Sequence, residues 1–123
     1  MSLHYMESHE WAKLDGDEVV IGLSAFAAGE VGEVIHVELP AVGDAAKRGQ
    51  PLAEIESVKS VNDFYAPIDG EVVAINEALA DAPELVNESA EDKGWFCRIK
   101  PSAAAPFDGL LNAAAYQTKV EQG

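Results

Sequence analysis

Between Glu18 and Ile99 the apolar positions come in short bursts separated by turn residues, the pattern of a sandwich or barrel built from short strands. Glu18 to Leu23 is a β-branched run closed by Gly22 and Ser24. Glu33 to Leu39 alternates, with Val34, Ile35 and Val37 among Glu33, His36 and Glu38, and ends at Pro40. Leu52 to Val58 and Phe64-Tyr65 flank a bend, and Glu71 to Ile75 and Trp95 to Ile99 read as further strands. Val42-Gly43-Asp44, Arg48-Gly49-Gln50-Pro51 and Pro67-Ile68-Asp69-Gly70 are turn clusters. Ser24 to Glu30 predicts one short helix with Ser24 as its N-cap, weakened by Gly29. From Pro101 the chain turns alanine-rich, and Leu110, Leu111, Ala114 and Tyr116 predict one or two short helices, the second capped by Asn112. Such a tail is too small to bury a core alone, so it is expected to pack on the β body. The expected architecture is mainly β, a single domain over residues 1–123, with a β body at about 5–100 and a helical tail at about 101–121.

Composition narrows the functional classes. The 123 residues include 22 acidic side chains against 8 basic ones, a formal net charge of −14. At 48% apolar and 24% charged, the chain reads as globular despite that charge. Nucleic acid and anionic membranes would repel it, so neither is an expected partner; positive surfaces are. Cys97 is the single cysteine and cannot form an internal disulfide, so no oxidising compartment is implied. No apolar run is long enough to cross a bilayer, and the first residues, MSLHYMESHEW, lack the layout of a signal or transit peptide.

Lys59 is the candidate that stands out. Between Gly49 and Asp92, Asp92 included, it is the single basic side chain against eleven acidic ones. It sits within Glu56-Ser57-Val58-Lys59-Ser60-Val61-Asn62-Asp63, at a bend between two strands. A lysine at the tip of a tight β-bend projects into solvent on a rigid base, the geometry that presents an amine to a modifying enzyme or carries a long arm. On composition alone the plainer reading is a solvated lysine that relieves repulsion in an acidic hairpin.

The wider segment changes that balance. Ser8-His9-Glu10-Trp11, Val37-Glu38-Leu39-Pro40, ESVKSVNDFYAP (56–67), GEVVAINEAL (70–79), PELVNE (83–88) and GWFCRIKP (94–101) occur in an order and spacing that resembles the glycine cleavage H-protein family. The resemblance runs from about Tyr5 to Tyr116. It implies the barrel-sandwich hybrid of lipoyl and biotinyl domains, with lipoic acid attached to Lys59 through an amide bond. Acylation would remove the lysine charge, taking −14 to −15. The implied partners are a pyridoxal-phosphate-dependent glycine decarboxylase, a folate-dependent aminomethyltransferase, a dihydrolipoyl dehydrogenase and the enzymes that attach lipoate. By the same resemblance the chain is a carrier and not an enzyme, a monomer, cytoplasmic in a bacterium or in the mitochondrial matrix as a mature eukaryotic form. Positions matching the family's arm-docking cleft are Ser8, Glu10 and Asp63, where a carboxylate would stabilise a cationic aminomethyl group. The plainer alternatives are an exposed strand residue for Glu10 and a turn cap for Asp63. Asn62 and Asp63 are further expected to satisfy backbone donors on the return strand. Many family members carry Thr-Asp-Tyr-Ala before the short helix, where this chain has Ser24-Ala25-Phe26-Ala27.

The remaining candidates read as structural. His4, His9 and His36 have no metal-ligand spacing, Cys97 is expected to be a buried small hydrophobe, and Trp11 and Trp95 are expected core anchors. No phosphate-binding glycine loop is present. Biotin carriers usually flank the lysine with methionine, and lipoyl domains of 2-oxoacid dehydrogenases usually have Asp-Lys-Ala there; Val58 and Ser60 fit neither. An H-like protein that relays lipoate remains an alternative. An enzyme with Lys59 as Schiff base would need it desolvated, which an exposed acidic bend opposes, and a structural adaptor would tolerate Lys59→Arg.

Overall fold

The computed structural model describes residues 3–102 and 109–122. Ten strands and four helices follow one another as β1 (His4–Tyr5), β2 (Glu10–Asp15), β3 (Glu18–Leu23), α1 (Ala25–Val31), β4 (Val34–Glu38), β5 (Ala45–Ala46), β6 (Pro51–Ser57), β7 (Val61–Tyr65), β8 (Gly70–Ile75), α2 (Ala78–Asp81), α3 (Leu85–Glu88), β9 (Cys97–Pro101), β10 (Leu111–Asn112) and α4 (Ala113–Gln122). They form a seven-stranded antiparallel sheet, in the order β10-β1-β2-β3-β9-β8-β5, and a three-stranded sheet, β4-β6-β7. The two sheets close over a shared core as a barrel-sandwich hybrid, the mainly β fold expected from the sequence. Val19, Ile21, Val72 and Ile99 enter that core from the large sheet, and Val37, Ile55 and Phe64 from the small one. Phe64 stacks on Phe96 at 4.4 Å between ring centroids, joining the layers.

The run Val19-Val20-Ile21 is apolar at every position because the sheet is covered on both sides there. Val19 and Ile21 face the core, whereas Val20 joins Tyr5, Trp11 and Tyr116 in a second cluster beneath α4. Trp11 lies across the strand pair from Gly22, and its indole N–H donates to the Ala90 carbonyl at 3.0 Å. A methyl group at position 22 would come within 2.7 Å of the Trp11 ring. Gly22 is therefore required by close approach. Trp95 is half-buried against the same cluster, and Cys97 is buried, its thiol pushed up to about 12 by desolvation.

The tail differs from the expectation in one respect. Leu111 and Asn112 extend as β10, pairing with Tyr5 and His4 and covering the edge of β1, where the sequence predicted helix around Leu110 and Leu111. Tertiary pairing and the packing of Leu111 on the second cluster outweigh the local alanine-rich bias. The helix then starts at Ala113, and Asn112 caps it as expected, its Oδ1 accepting the Ala115 N–H at 2.8 Å. Residues 103–108, also within the predicted tail, lie outside the described residues.

Gly22→Ala should destabilise the chain by about 1–3 kcal/mol through overpacking against Trp11. Gly29→Ala, where a methyl group meets nothing within 4 Å, should stabilise α1 by about 0.5–1 kcal/mol. Urea denaturation of the two variants beside the parent checks both signs.

Candidate functional site

The hairpin of β6 and β7 turns through Ser57-Val58-Lys59-Ser60, with Glu56 and Val61 as its last cross-strand pair. Ser57 closes the turn: its N–H donates to the Ser60 carbonyl at 2.8 Å, and its buried hydroxyl oxygen accepts the N–H groups of Lys59 and Ser60 at 3.4 and 3.2 Å. That is the capping role expected of Asn62 and Asp63. Asn62 instead donates to Ser60 Oγ at 3.0 Å. A short buried hydroxyl does this work because it reaches both donors from inside the bend. The turn is also tied sideways, since the Val58 N–H donates to the Glu33 carbonyl at 3.0 Å, on the loop between α1 and β4.

Lys59 is exposed at the tip. Its ammonium makes no hydrogen bond or ion pair among the described residues, although carboxylates crowd the neighbouring sequence. Its stem does not stand straight out, however. It lies beside Gly32, where a methyl group would sit 3.1 Å from Lys59 Cε and 3.8 Å from Nζ. Gly32 terminates α1 at φ 85°, ψ −160°, a region that belongs almost to glycine alone. The seat under the lysine is bare backbone. An unpaired, accessible amine over such a seat fits an acyl group attached through an amide, because the bond can form without breaking an ion pair or moving a side chain.

The second group of candidates lies at the other end of α1. Ser8 and Glu10 are together, with the Ser8 hydroxyl donating to Glu10 Oε1, while Glu10 Oε2 accepts the Tyr65 N–H at 3.1 Å. Glu10 is 2% exposed, which overturns the reading of it as an exposed strand residue. Burial raises the Glu10 carboxyl above its ordinary value, against the opposing hydrogen bonds from Ser8 and Tyr65. Asp63 is not brought to this pair. It is exposed in the middle of β7, across from Glu54, which in turn faces Glu38, and the three line a shallow depression on the outer face of the small sheet. It is no turn cap either, for Ser57 holds that position. Ser24, at the start of α1, is tied to the Glu10 turn by its N–H, which donates to the His9 carbonyl at 2.9 Å. Helix α1 thus bridges Glu10 and Lys59, with seven residues spanning roughly 10 Å at 1.5 Å per residue.

Three contributors escaped the sequence reading. Gly32 carries no side-chain signal. Asn87 fixes the corner after α1, its Nδ2 donating to the carbonyls of Gly32 and Ala28 at 2.8 and 3.2 Å while its Oδ1 accepts the Val34 N–H at 2.8 Å. Tyr116 hydrogen-bonds His9 and Ser24 across more than ninety residues of sequence. Among the described residues no cluster of histidine, cysteine and carboxylate side chains is arranged to hold a metal. A larger cavity of about 620 Å³ between β5, β8 and β9 is lined by Lys47, Asp69 and Lys100 and includes none of the candidates.

Residues 3–123 match the family model described as glycine cleavage H-protein. Among curated proteins, the chain is 46% identical over 120 residues to the glycine cleavage system H protein of Bacillus licheniformis, covering 98% of this chain and 94% of that one. It is 49% identical over 119 residues to the protein of the same name from Magnetococcus marinus, covering 97% and 85%. Among solved structures, the crystal structure of a glycine cleavage system H protein from Mycobacterium marinum superposes with a TM-score of 0.88 at 30% identity, covering 97% of this chain and 96% of that one.

A buried carboxyl with a raised pKa binds its proton more tightly in the folded state, so it supports the fold below its ordinary value of 4.5 and costs stability once ionised. Replacing Glu10 by Gln keeps a partner for Ser8 and Tyr65 but cannot ionise. The Glu10→Gln variant should gain stability relative to the parent as pH rises from 4.5 towards 7. Urea denaturation at a series of pH values measures that difference, and a difference that stays flat would contradict it.

Proposed function

The chain belongs to the glycine cleavage H-protein family, a carrier component of the glycine cleavage system rather than a catalyst, and on that premise we propose that Lys59 bears lipoate in amide linkage. The observation that carries this reading is the unpaired Lys59 amine over the bare backbone of Gly32, at the tip of a turn braced from inside by Ser57 and from the side by Glu33. Bound there, lipoate would supply a dithiolane able to exchange with thiols in a two-electron couple.

The chain's own residues then hold and orient. Ser57 and the Val58–Glu33 hydrogen bond keep the root of the arm fixed, so its swing is confined to the arm itself. Glu10, with Ser8 and the Tyr65 N–H, offers a carboxylate in a poorly solvated site, where its attraction for a cationic aminomethyl group is stronger than in water. Asp63 adds negative potential on the outer face of the same strand. Residues 1–123 act on this reading as a single carrier domain and as a monomer.

Membership in the glycine cleavage system implies partner enzymes. The partners proposed are the pyridoxal-phosphate-dependent glycine decarboxylase, the aminomethyltransferase, the dihydrolipoyl dehydrogenase and the lipoate-attaching enzymes. No helix among the described residues is long and apolar enough to cross a membrane. With bacterial relatives, the proposed location is the cytoplasm.

Intact-mass measurement after incubation with a lipoate-attaching enzyme, lipoate and ATP should show one lipoyl group added. Peptide mapping should place it on Lys59, and Lys59→Arg should take up none. A gain elsewhere, or no gain on the parent chain, would remove the assignment. With a net charge of −14, association with partner enzymes should also slow as ionic strength rises. Stopped-flow on-rates at increasing salt test this, and rates indifferent to salt would reduce the acidity to a matter of solubility.

A further inference from the structure

Tyr116 on α4 is buried and sets its hydroxyl 2.7 Å from His9 Nδ1 and 2.7 Å from Ser24 Oγ. Its ring lies flat on that of Tyr5, with centroids 4.0 Å apart and planes 5° apart. Ser24 Oγ already accepts the Ala27 N–H as the N-cap of α1. The hydroxyl proton of Ser24 is then available to Tyr116 Oη, and the phenol proton to His9 Nδ1, so one chain of donors satisfies all three groups. A phenylalanine would serve the stack with Tyr5 equally well. What the hydroxyl adds is the bridge.

The bridge ends on an unusual residue. His9 has φ 80°, the one positive φ outside glycine among the described residues, in a region that residues with a side chain rarely enter. The turn around it is closed by the Met6 N–H donating to the Glu10 carbonyl at 2.8 Å and the His9 N–H donating to the Met6 carbonyl at 3.0 Å. From this turn the Glu10 carboxylate points inward to Ser8 and the Tyr65 N–H. A second link from α4 reaches the same turn, the Lys119 ammonium lying 3.7 Å from the Glu7 carboxylate. That pair is well exposed and contributes little by itself. The buried Tyr116 bridge is the stronger tie between the helix and the turn.

We propose that Tyr116 is a positioning residue: through His9 and Ser24 it latches the Glu10 turn to the N-terminus of α1, and so keeps the buried carboxylate aimed where the carried group is received. This rests on the reading of Glu10 given above, but the latch itself is tested without any arm. In Tyr116→Phe the ring stack is kept and the bridge is lost. The Ser24 and Tyr65 amides, which donate to His9 and Glu10, should then exchange with deuterium about two- to tenfold faster, the loss expected for one neutral hydrogen bond. Core amides such as Phe96, bonded to the Ile21 carbonyl, should keep their rates. The Glu10 carboxyl, followed by its carbon resonance, should titrate nearer the ordinary 4.5. Unchanged exchange at Ser24 and Tyr65, an unmoved Glu10 titration, or equal acceleration across the core would each overturn the proposal, the last by making Tyr116 a general stabiliser. Lipoylation of Lys59, measured on both proteins, should not differ. A parent chain that accepts no lipoate would sink the carrier reading and leave the latch to be decided by exchange and titration.

Discussion

Asn87 holds the corner between α1 and β4 through three hydrogen bonds, and the hairpin that presents Lys59 hangs from that corner. The amide takes the carbonyls left over at the end of α1 and at Gly32, and it supplies an acceptor to the first N–H of β4. The two carbonyls are groups that a helix terminus leaves without intrahelical partners. The next residue along, Glu33, lends its carbonyl to Val58 at the hairpin tip. The bare backbone of Gly32 lies under the Lys59 stem. A four-residue helix far along the chain thus sets the position of the lysine through the loop beneath it. At about 0.5–1.5 kcal/mol net for each hydrogen bond, three of them rival the effect of a core side chain.

Strands were legible where one face alternates or where both faces are covered. Glu18 to Leu23 could be read from a continuous β-branched run buried on both faces, and β6 from burial that alternates along the strand. Lys59 stood out as a lone basic residue in an acidic stretch. The pieces that escaped are those whose reason lies across the fold. Gly32 answers to a lysine 27 positions away, Asn87 to the end of α1, and Tyr116 to a histidine near the other terminus. Glu10 was named as a candidate, but its burial escaped: a glutamate in a polar stretch of sequence looks exposed, and it is buried because the N-terminal turn folds it under β7. Leu111 shows the converse, where a locally helical segment is drawn into a strand by an open sheet edge.

The outer face of the small sheet carries a cost that folding does not need. Glu38, Glu54 and Asp63 lie in one row across β4, β6 and β7, with like charges directly opposite one another. Such pairs are destabilising, and no described basic side chain is hydrogen-bonded or ion-paired to them apart from His36, 3.3 Å from Glu38. The core beneath them, with Val37, Ile55 and Phe64, is strong enough to tolerate the repulsion. On the proposed carrier reading, negative charge concentrated on the sheet that holds Lys59 would serve recognition of positively lined partner clefts better than it serves stability.

The same arrangement explains why acylating Lys59 would cost the fold little. On an extended strand, side chains on one face stand roughly perpendicular to the sheet, so Glu54 and Asp63 stand out from the face of the small sheet. The Lys59 stem runs sideways over Gly32 instead. The lysine is therefore near many carboxylates in sequence and paired to none of them in space. Neutralising its charge breaks no ion pair and exposes no buried acceptor. What changes is the long-range field, one positive charge fewer on a surface already at −14. The modified and unmodified chains should thus share one fold and one stability to within about 1 kcal/mol, the ceiling for an exposed charge interaction. The consequence of modification is then carried by the arm and its partners, with the scaffold left as it was.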